Sequence, residues 1–297
     1  MFLGQALNVL LMSDTPLFRE VYGYHSEEDV TQREEHIMET KSGSRIFSSE
    51  CPFTGHACTK ATDYDEEREE TRPLGVCSAS GPEGNPVITC PERFKSNVVW
   101  DDLKEHLFSD ARGKFFVLEE GKLGEAGRID LIPVIHQDGR ITDFAAVEIQ
   151  SSYFSGGSIR DEFLDYMDRI DNGKLPQPQE GYRQMDYRSC LDKRLLPQLE
   201  EKVETIEAWD RKFGVVLQKI AFDNSSIIRR IESVPEEDAT FFFFVYDYAE
   251  DTPQYQLVLD EIFPTTLEQI TMAIGESMAP DEDEFMDYLE RKFARDS

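Results

Sequence analysis

Hydrophobic and polar positions from residue 98 onward follow the periods of both helices and strands. Four segments show the 3.6-residue spacing of amphipathic helices: "WDDLKEHLF" (100–108), "SIRDEFLDYMDRI" (158–170), residues 190–210 and "DEDEFMDYLERKF" (281–293). Three apolar runs have the length of strands: "KFFVLEE" (114–120), "FGVVLQKIAF" (213–222) and "TFFFFVYDY" (240–248). The third run is continuously apolar, so we expect it to be buried on both faces. The pattern indicates an α/β domain.

The segment "RIDLIPVIHQDGRITDFAAVEIQ" (128–150) reads as a hairpin of two apolar strands that carries acids in both strands. Strand alternation places Glu148 and Gln150 on one face. A two-residue turn would put Asp130 on the opposite face. A three-residue loop over 137–139, with Gly139 in the left-handed region, would put Asp130 on the face of Glu148. We predict the three-residue loop.

Two carboxylates that meet between apolar strands would repel each other and lose solvation. A hard divalent cation, bound through oxygen with retained waters, would relieve both costs. Gln150, on the same face, would then hydrogen-bond a water or a phosphate near the metal. The alternative is that both acids lie at strand ends in solvent.

Residues 45–95 are rich in Gly and Pro and contain four of the five cysteines, Cys51, Cys58, Cys77 and Cys90. Four thiolates on a tetrahedral metal would give this segment a centre around which to fold. The alternatives are buried free thiols, or His56 in place of one ligand. We therefore divide the chain into an N-terminal region, 1–97, with a metal site within 51–90, and a second domain, 98–297. Cys190 is predicted to be an ordinary buried thiol.

The charge balance is unusual, with 60 acidic against 31 basic residues and a net charge of −29. Such acidity normally argues against a nucleic acid partner, because DNA binding rests on Lys and Arg. The alternative is adaptation to a salty cell interior, where the net charge reports the habitat and not the ligand. No basic residue precedes Arg19, so the start does not resemble a secretory signal, and we expect a cytoplasmic protein.

The order of these motifs resembles one known family. An Asp followed after a hairpin by Glu-x-Lys marks the PD-(D/E)xK nucleases, and here Asp130 is followed by Glu148-Ile149-Gln150. Four cysteines come before this element, and "YRSCLDKRLLPQLEEKVETIEAWDRKFGVVLQ" (187–218) comes after it. The combination is similar to the NotI-type restriction endonucleases over roughly residues 45–225. In that family Gln holds the Lys position, and iron is bound by four cysteines before the nuclease core.

The resemblance implies a restriction-endonuclease-like α/β core, a mixed central sheet flanked by helices, after a loop-rich four-cysteine region. Asp130 and Glu148 would bind magnesium with the backbone carbonyl of Ile149, and Gln150 would position the attacking water. A further acid would come from Glu105, Glu119 or Glu125, among which the sequence does not choose. The four cysteines would bind structural iron, with zinc as the alternative.

The resemblance also implies the partners. The substrate would be double-stranded DNA, cut at a GC-rich palindrome by a homodimer in the cytoplasm, with no membrane partner. Phosphate contacts would come from Arg188, Lys193 and Arg194. A methyltransferase of the same restriction system would protect the host DNA without binding this chain.

Two other functions stay open at this point. RecB-like iron–sulfur repair or defence nucleases also join four cysteines to this fold, but usually with one cysteine before the core and three after it. Here all four come before Asp130. The other possibility is a metal-stabilised binding module that has lost cleavage. Magnesium-dependent cutting into discrete fragments distinguishes these readings.

Overall fold

A computed structural model of the chain describes residues 17–25, 37–39, 45–47, 50–58, 60, 75–81, 84–109, 111–154, 159–172, 185–187, 190–249, 255–276 and 282–296. The described strands in chain order are β1 (Phe18–Val21), β2 (Tyr24–His25), β3 (Ile37–Glu39), β4 (Arg45–Phe47), β5 (Val76–Ser80), β6 (Pro86–Ile88), β7 (Lys114–Lys122), β8 (Arg128–Gln137), β9 (Arg140–Phe144), β10 (Ala146–Gln150), β11 (Tyr153–Phe154), β12 (Met185–Asp186), β13 (Phe213–Gln218), β14 (Phe241–Tyr248) and β15 (Leu257–Thr265). The described α-helices are α1 (Asn97–Leu107), α2 (Arg160–Asp171), α3 (Leu196–Glu207), α4 (Lys219–Asn224), α5 (Leu267–Glu276) and α6 (Glu282–Asp296). None of these helices is long and apolar enough to cross a membrane.

The largest sheet has seven strands in the order β15-β14-β13-β10-β8-β7, with β9 paired along β8. Strands β10, β13 and β14 run parallel to one another, whereas β8 is antiparallel to β10, β7 and β9. Strand β15 is antiparallel to β14. The sheet is therefore mixed, as the family resemblance implied.

Helices cover both faces of the large sheet. Helices α3, α4 and α5 pack on one face against alternate residues of β13 and β14, which include Phe241 and Phe243. Helix α1 packs on the other face against Phe242 and Phe244. All four phenylalanines are fully buried, because a parallel strand with helices on both sides exposes neither face. This confirms the α/β architecture and the double burial expected for "TFFFFVYDY".

The second sheet, of order β2-β1-β5-β6, is linked to the first through a buried carboxylate. Glu20 of β1 is fully buried, and the Arg93 Nε lies 3.1 Å and 3.2 Å from its two carboxylate oxygens. The Tyr248 hydroxyl of β14 lies 3.1 Å from the same carboxylate, and the Arg93 guanidinium stacks over the ring of Phe53. Burial raises the pKa of Glu20, although Arg93 opposes the shift. One carboxylate thus ties three parts of the chain together.

Sequence periodicity located most elements of the second half. Helices α1, α2, α3 and α6 and strands β7, β13 and β14 lie where they were predicted, within a few residues. The strand predicted over 213–222 is too long, because it ends at Gln218 and α4 follows. The Gln218 side chain accepts a hydrogen bond from the Ile88 N–H at 2.8 Å and donates one to the Pro86 carbonyl at 2.9 Å. These contacts anchor the strand end to β6. The boundary predicted at residue 97 stays a prediction.

We predict that Glu20→Gln destabilises the protein severely, because it leaves the Arg93 guanidinium buried without a counter-charge. The loss in the free energy of unfolding should be about 3–5 kcal/mol, measured by urea denaturation. The matched control is Asp165→Asn, which removes the partner of Arg169 in a partly exposed pair on α2. That change should cost less than about 1 kcal/mol. Equal losses in the two variants would contradict the role of the buried pair.

Candidate active site

The turn between β8 and β9 has two residues, so the predicted three-residue loop is wrong. Gln137 pairs directly with Arg140, and Asp138 and Gly139 have φ angles of 53° and 81°. Two successive positive φ angles are typical of the type I′ turn, for which Asp-Gly is a preferred sequence because its twist matches that of the flanking strands. Asp-Gly therefore adopts the two-residue turn and not the three-residue loop.

A bulge further along β9 brings the acids to the same face. Between the pairs His136–Ile141 and Ile135–Asp143 the register shifts, so that Thr142 is an extra residue in β9. Past this bulge, Val147 pairs with Leu131. One step from that pair along each strand, Asp130 stands beside Glu148. The acids therefore meet as expected, through a tight turn and a bulge instead of a longer loop.

Asp130 lies where the β8–β10 ladder ends. Its Oδ2 accepts a hydrogen bond from the backbone N–H of Ile149 at 2.9 Å, in place of a backbone carbonyl. The residue is exposed. The side chain is thus held in position by β10 while its carboxylate stays accessible to solvent and to a ligand.

Glu148 lies deeper, with a relative exposure of 7%. Its pKa is raised to about 7, first by burial and then by the negative charge of Asp130, whereas Lys202 opposes the shift. Two carboxylates in this arrangement favour a cation between them, because it would relieve both causes. This donor set fits a hard divalent ion, which commonly keeps several waters and uses one or two carboxylates.

Gln150 follows two residues later on the same face of β10 and is buried. Its side-chain Nε2 donates a hydrogen bond to the Ser151 carbonyl at 2.6 Å. The contact fixes the amide plane next to Glu148. Since an amide is neutral, Gln150 adds no positive charge to the site.

Lys202 is a site residue that the sequence did not reveal. Its Nζ lies 2.8 Å from the Glu148 Oε1, and the lysine side chain is only 13% exposed. It projects from α3 beside the buried stripe that contains Leu199, Val203 and Ile206. A lysine next to such a stripe is a signal in retrospect, but snorkelling lysines are common at these positions.

The three acids considered as a further ligand lie elsewhere. Glu119 forms an ion pair with Lys95, Glu105 is exposed on α1, which packs on the opposite face of the sheet, and Glu125 is exposed in the β7–β8 connection. The β7–β8 register instead leaves Glu120 opposite Asp130, between the pairs Glu119–Leu131 and Gly121–Ile129. Glu120 has a φ of 52° and forms an ion pair with Arg128 at 3.2 Å.

The four N-terminal cysteines are free thiols, and they lie close enough for their charges to interact. Burial is the main cause of the raised pKa of Cys77, and charges at Cys90 and Cys51 raise it further. Partial burial lowers the pKa of Lys60, whereas the charges of Cys90, Cys77 and Cys58 oppose the shift. The Lys60 ammonium donates to the Thr89 carbonyl. Yet no three His, Cys, Asp or Glu side chains in the described ranges are arranged to hold a metal ion. The thiols would have to move together to share one ion.

Cys190 is buried in the π-helical turn Cys190–Leu195, and its Sγ lies 3.0 Å from the Tyr187 carbonyl. Lys193 is exposed on the same turn. Arg188 and the side chain of Arg194 lie outside the described residues. Two further basic residues lie near the site. Lys122 of β7 pairs with Arg128 of β8, which is two residues from Asp130.

The arrangement is suited to hydrolysis of a phosphodiester assisted by a divalent cation, because two adjacent carboxylates, one of them exposed, could hold such an ion. No curated protein sequence matches the chain. A family model described as restriction endonuclease NotI matches residues 38–259, well over half of the chain. The chain therefore belongs to the NotI restriction endonuclease family and is a DNA-binding nuclease of the type II restriction class.

Proposed function

We propose that this protein is a magnesium-dependent type II restriction endonuclease that cuts both strands of DNA at a GC-rich palindrome. The observation that carries the proposal is the meeting of Asp130 and Glu148 on neighbouring strands β8 and β10, with Asp130 exposed and Glu148 buried. The family supplies the substrate class, and the acids supply a place for the ion that the chemistry needs.

In this proposal Asp130, Glu148 and the carbonyl of Ile149 hold magnesium. When bound, the ion lowers the pKa of water and offsets charge at the scissile phosphate. The Gln150 side chain is fixed through Nε2, so its oxygen is left to accept a hydrogen bond from the attacking water and orient it. A bond forms between the water oxygen and phosphorus, the phosphorus–oxygen ester bond breaks, and one water proton goes to the leaving oxygen.

The proposed partners follow from the reaction. A palindrome is matched by a twofold homodimer in which each subunit cuts one strand. Arg188, Lys193 and Arg194 contact phosphates, and the exposed position of Lys193 supports its part in this. The enzyme works in the cytoplasm, beside a methyltransferase that protects host DNA.

The four cysteines, Cys51, Cys58, Cys77 and Cys90, are proposed to bind a structural iron, or zinc in its place. Their support is their shared neighbourhood and their free state. With four protein ligands the ion would have no open position for substrate, so its role would be to organise the N-terminal region.

We predict that Asp130→Asn abolishes cleavage while the fold persists. Asparagine keeps an oxygen for the Ile149 N–H but loses the charge that holds the cation, and the rate should fall by at least about a hundredfold. The measurement is the appearance of discrete fragments from unmethylated DNA with magnesium, across a wide range of potassium chloride. Asp138→Asn is the matched control, because it removes one charge from the same hairpin and Asn-Gly suits the same turn. Cutting by Asp130→Asn at the rate of this control would refute the assignment.

We predict that Lys193→Ala weakens DNA binding and makes the binding less dependent on salt. Loss of one phosphate contact should reduce the slope of log K against log salt by about 1, as measured by fluorescence anisotropy in calcium. Lys219→Ala is the control, since this lysine pairs with Asp260 on the surface. Identical slopes for Lys193→Ala and the unaltered protein would exclude the contact.

We predict that the purified protein contains a stoichiometric amount of iron or zinc, and that Cys77→Ser loses it. The variant should also melt at a lower temperature, because a structural metal contributes directly to folding. Metal analysis and thermal unfolding measure both effects. Cys190→Ser, which alters a buried thiol outside the cluster, should retain the metal. Metal-free unaltered protein that is nevertheless stable would contradict the four-cysteine site.

A further inference from the structure

We propose that Lys202 is a catalytic residue that supplies the positive charge of the active site from helix α3. This inference rests on the proposed function, and it assigns to α3 a part in the chemistry. It follows from the charges of the site, from the contact between Lys202 and Glu148, and from the way α3 holds the lysine.

The other site residues leave a deficit of positive charge. Asp130 and Glu148 are acids, and Gln150 is neutral. Phosphodiester hydrolysis builds up negative charge on the phosphoryl oxygens in the transition state, and fixed positive groups near those oxygens lower the barrier. A divalent ion shared by two carboxylates has most of its charge neutralised by them. A further cation at this place would therefore act on the transition state.

Lys202 brings such a cation to the site. Its Nζ lies 2.8 Å from the Glu148 Oε1, within the distance of a charge-assisted hydrogen bond. Both side chains are largely shielded from water, at 13% and 10% exposure. Electrostatic interactions are stronger here than at the surface, because less water screens them.

Helix α3 fixes the point from which the lysine extends. Leu199, Val203 and Ile206, which flank it on the helix, are almost completely buried against the sheet. The lysine stem also passes close to Gly127 in the β7–β8 connection. A side chain at this glycine would touch the stem, because its Cβ would lie 3.9 Å from the Lys202 Cε. Gly127 has a φ of 97° in this connection. A charge held in place in this way needs little reorganisation during the reaction.

A structural role for Lys202 would have different consequences. If the lysine only kept Glu148 in place, its removal would weaken metal binding, and excess metal would restore the rate. A catalytic cation competes with the metal for the Glu148 oxygen and acts on the phosphate once DNA is bound. Its removal would leave metal binding unchanged or stronger, and excess metal would not restore the rate.

The experiment compares Lys202→Met with the unaltered protein in two measurements. The first is the affinity for calcium alone, by calorimetry. The second is the single-turnover cleavage rate at saturating magnesium. We expect a calcium affinity that is unchanged or higher, together with a rate reduced by about 10²–10³-fold. A weaker calcium affinity with a normal rate at saturating magnesium would overturn the proposal, as would a normal rate with unchanged affinity.

Lys212→Met is the matched control. Lys212 is also partly buried, donates to the His106 carbonyl at 3.0 Å and lies over the ring of Phe242, which packs on the opposite sheet face. Its loss removes the same charge and a similar packing contact. We expect this control to cut at nearly the rate of the unaltered protein. A fall in its rate equal to that of Lys202→Met would mean that general charge or stability is responsible, and would overturn the proposal.

A charge-relocation variant tests whether Lys202 acts through its charge. Gln150→Lys combined with Lys202→Met moves the lysine from α3 to the face of Glu148 on β10. At least a tenfold recovery over Lys202→Met would support a catalytic charge, and no recovery would count against it. Failure of the proposed function is recognised separately, because the unaltered protein would then not cut and Asp130→Asn would behave in the same way.

Discussion

The register between β8 and β10 is the constraint on which the proposed chemistry depends. Strand side chains alternate between faces, so a shift of one residue would send Asp130 to the face opposite Glu148. The two-residue turn alone would place the two acids on opposite faces, and the extra Thr142 in β9 restores them to one face. One bulge residue thus determines whether the two carboxylates can share a ligand. Bulges beside active sites often serve this purpose, because they redirect a side chain without changing the sheet order.

The same region shows what sequence can and cannot predict. Alternation identified Glu148 and Gln150 on one face, and the double burial of β14 was evident from its continuous apolar run. The turn was misjudged because Asp-Gly fits both a two-residue turn and a bulged loop, and nothing local marks Thr142 as an extra residue. Lys202 was missed for a different reason. Its contact with Glu148 spans 54 positions of sequence, and only the packing of α3 brings the two groups together.

Burial and a neighbouring negative charge both raise the pKa of Glu148. The chain has a large negative charge, yet Glu148 is shielded from water beside another acid, an arrangement that raises its pKa. Lys202 offsets part of this cost. Lys122 and Arg128 lie nearby at the end of the β7–β8 hairpin. An acidic nuclease therefore has basic groups around its acid pair, where DNA phosphates would have to approach.

The position of β7 at the edge of the large sheet affects how copies of the chain could associate. Strand β7 is an outer strand of the large sheet, and an outer strand offers unpaired backbone groups to any other extended chain. Glu120, with its left-handed φ of 52°, distorts this border, and Lys114 and Lys122 place charges at its two ends. An incoming strand would meet an irregular, charged border. The backbone geometry beside Asp130 thereby also guards the protein against edge-to-edge aggregation.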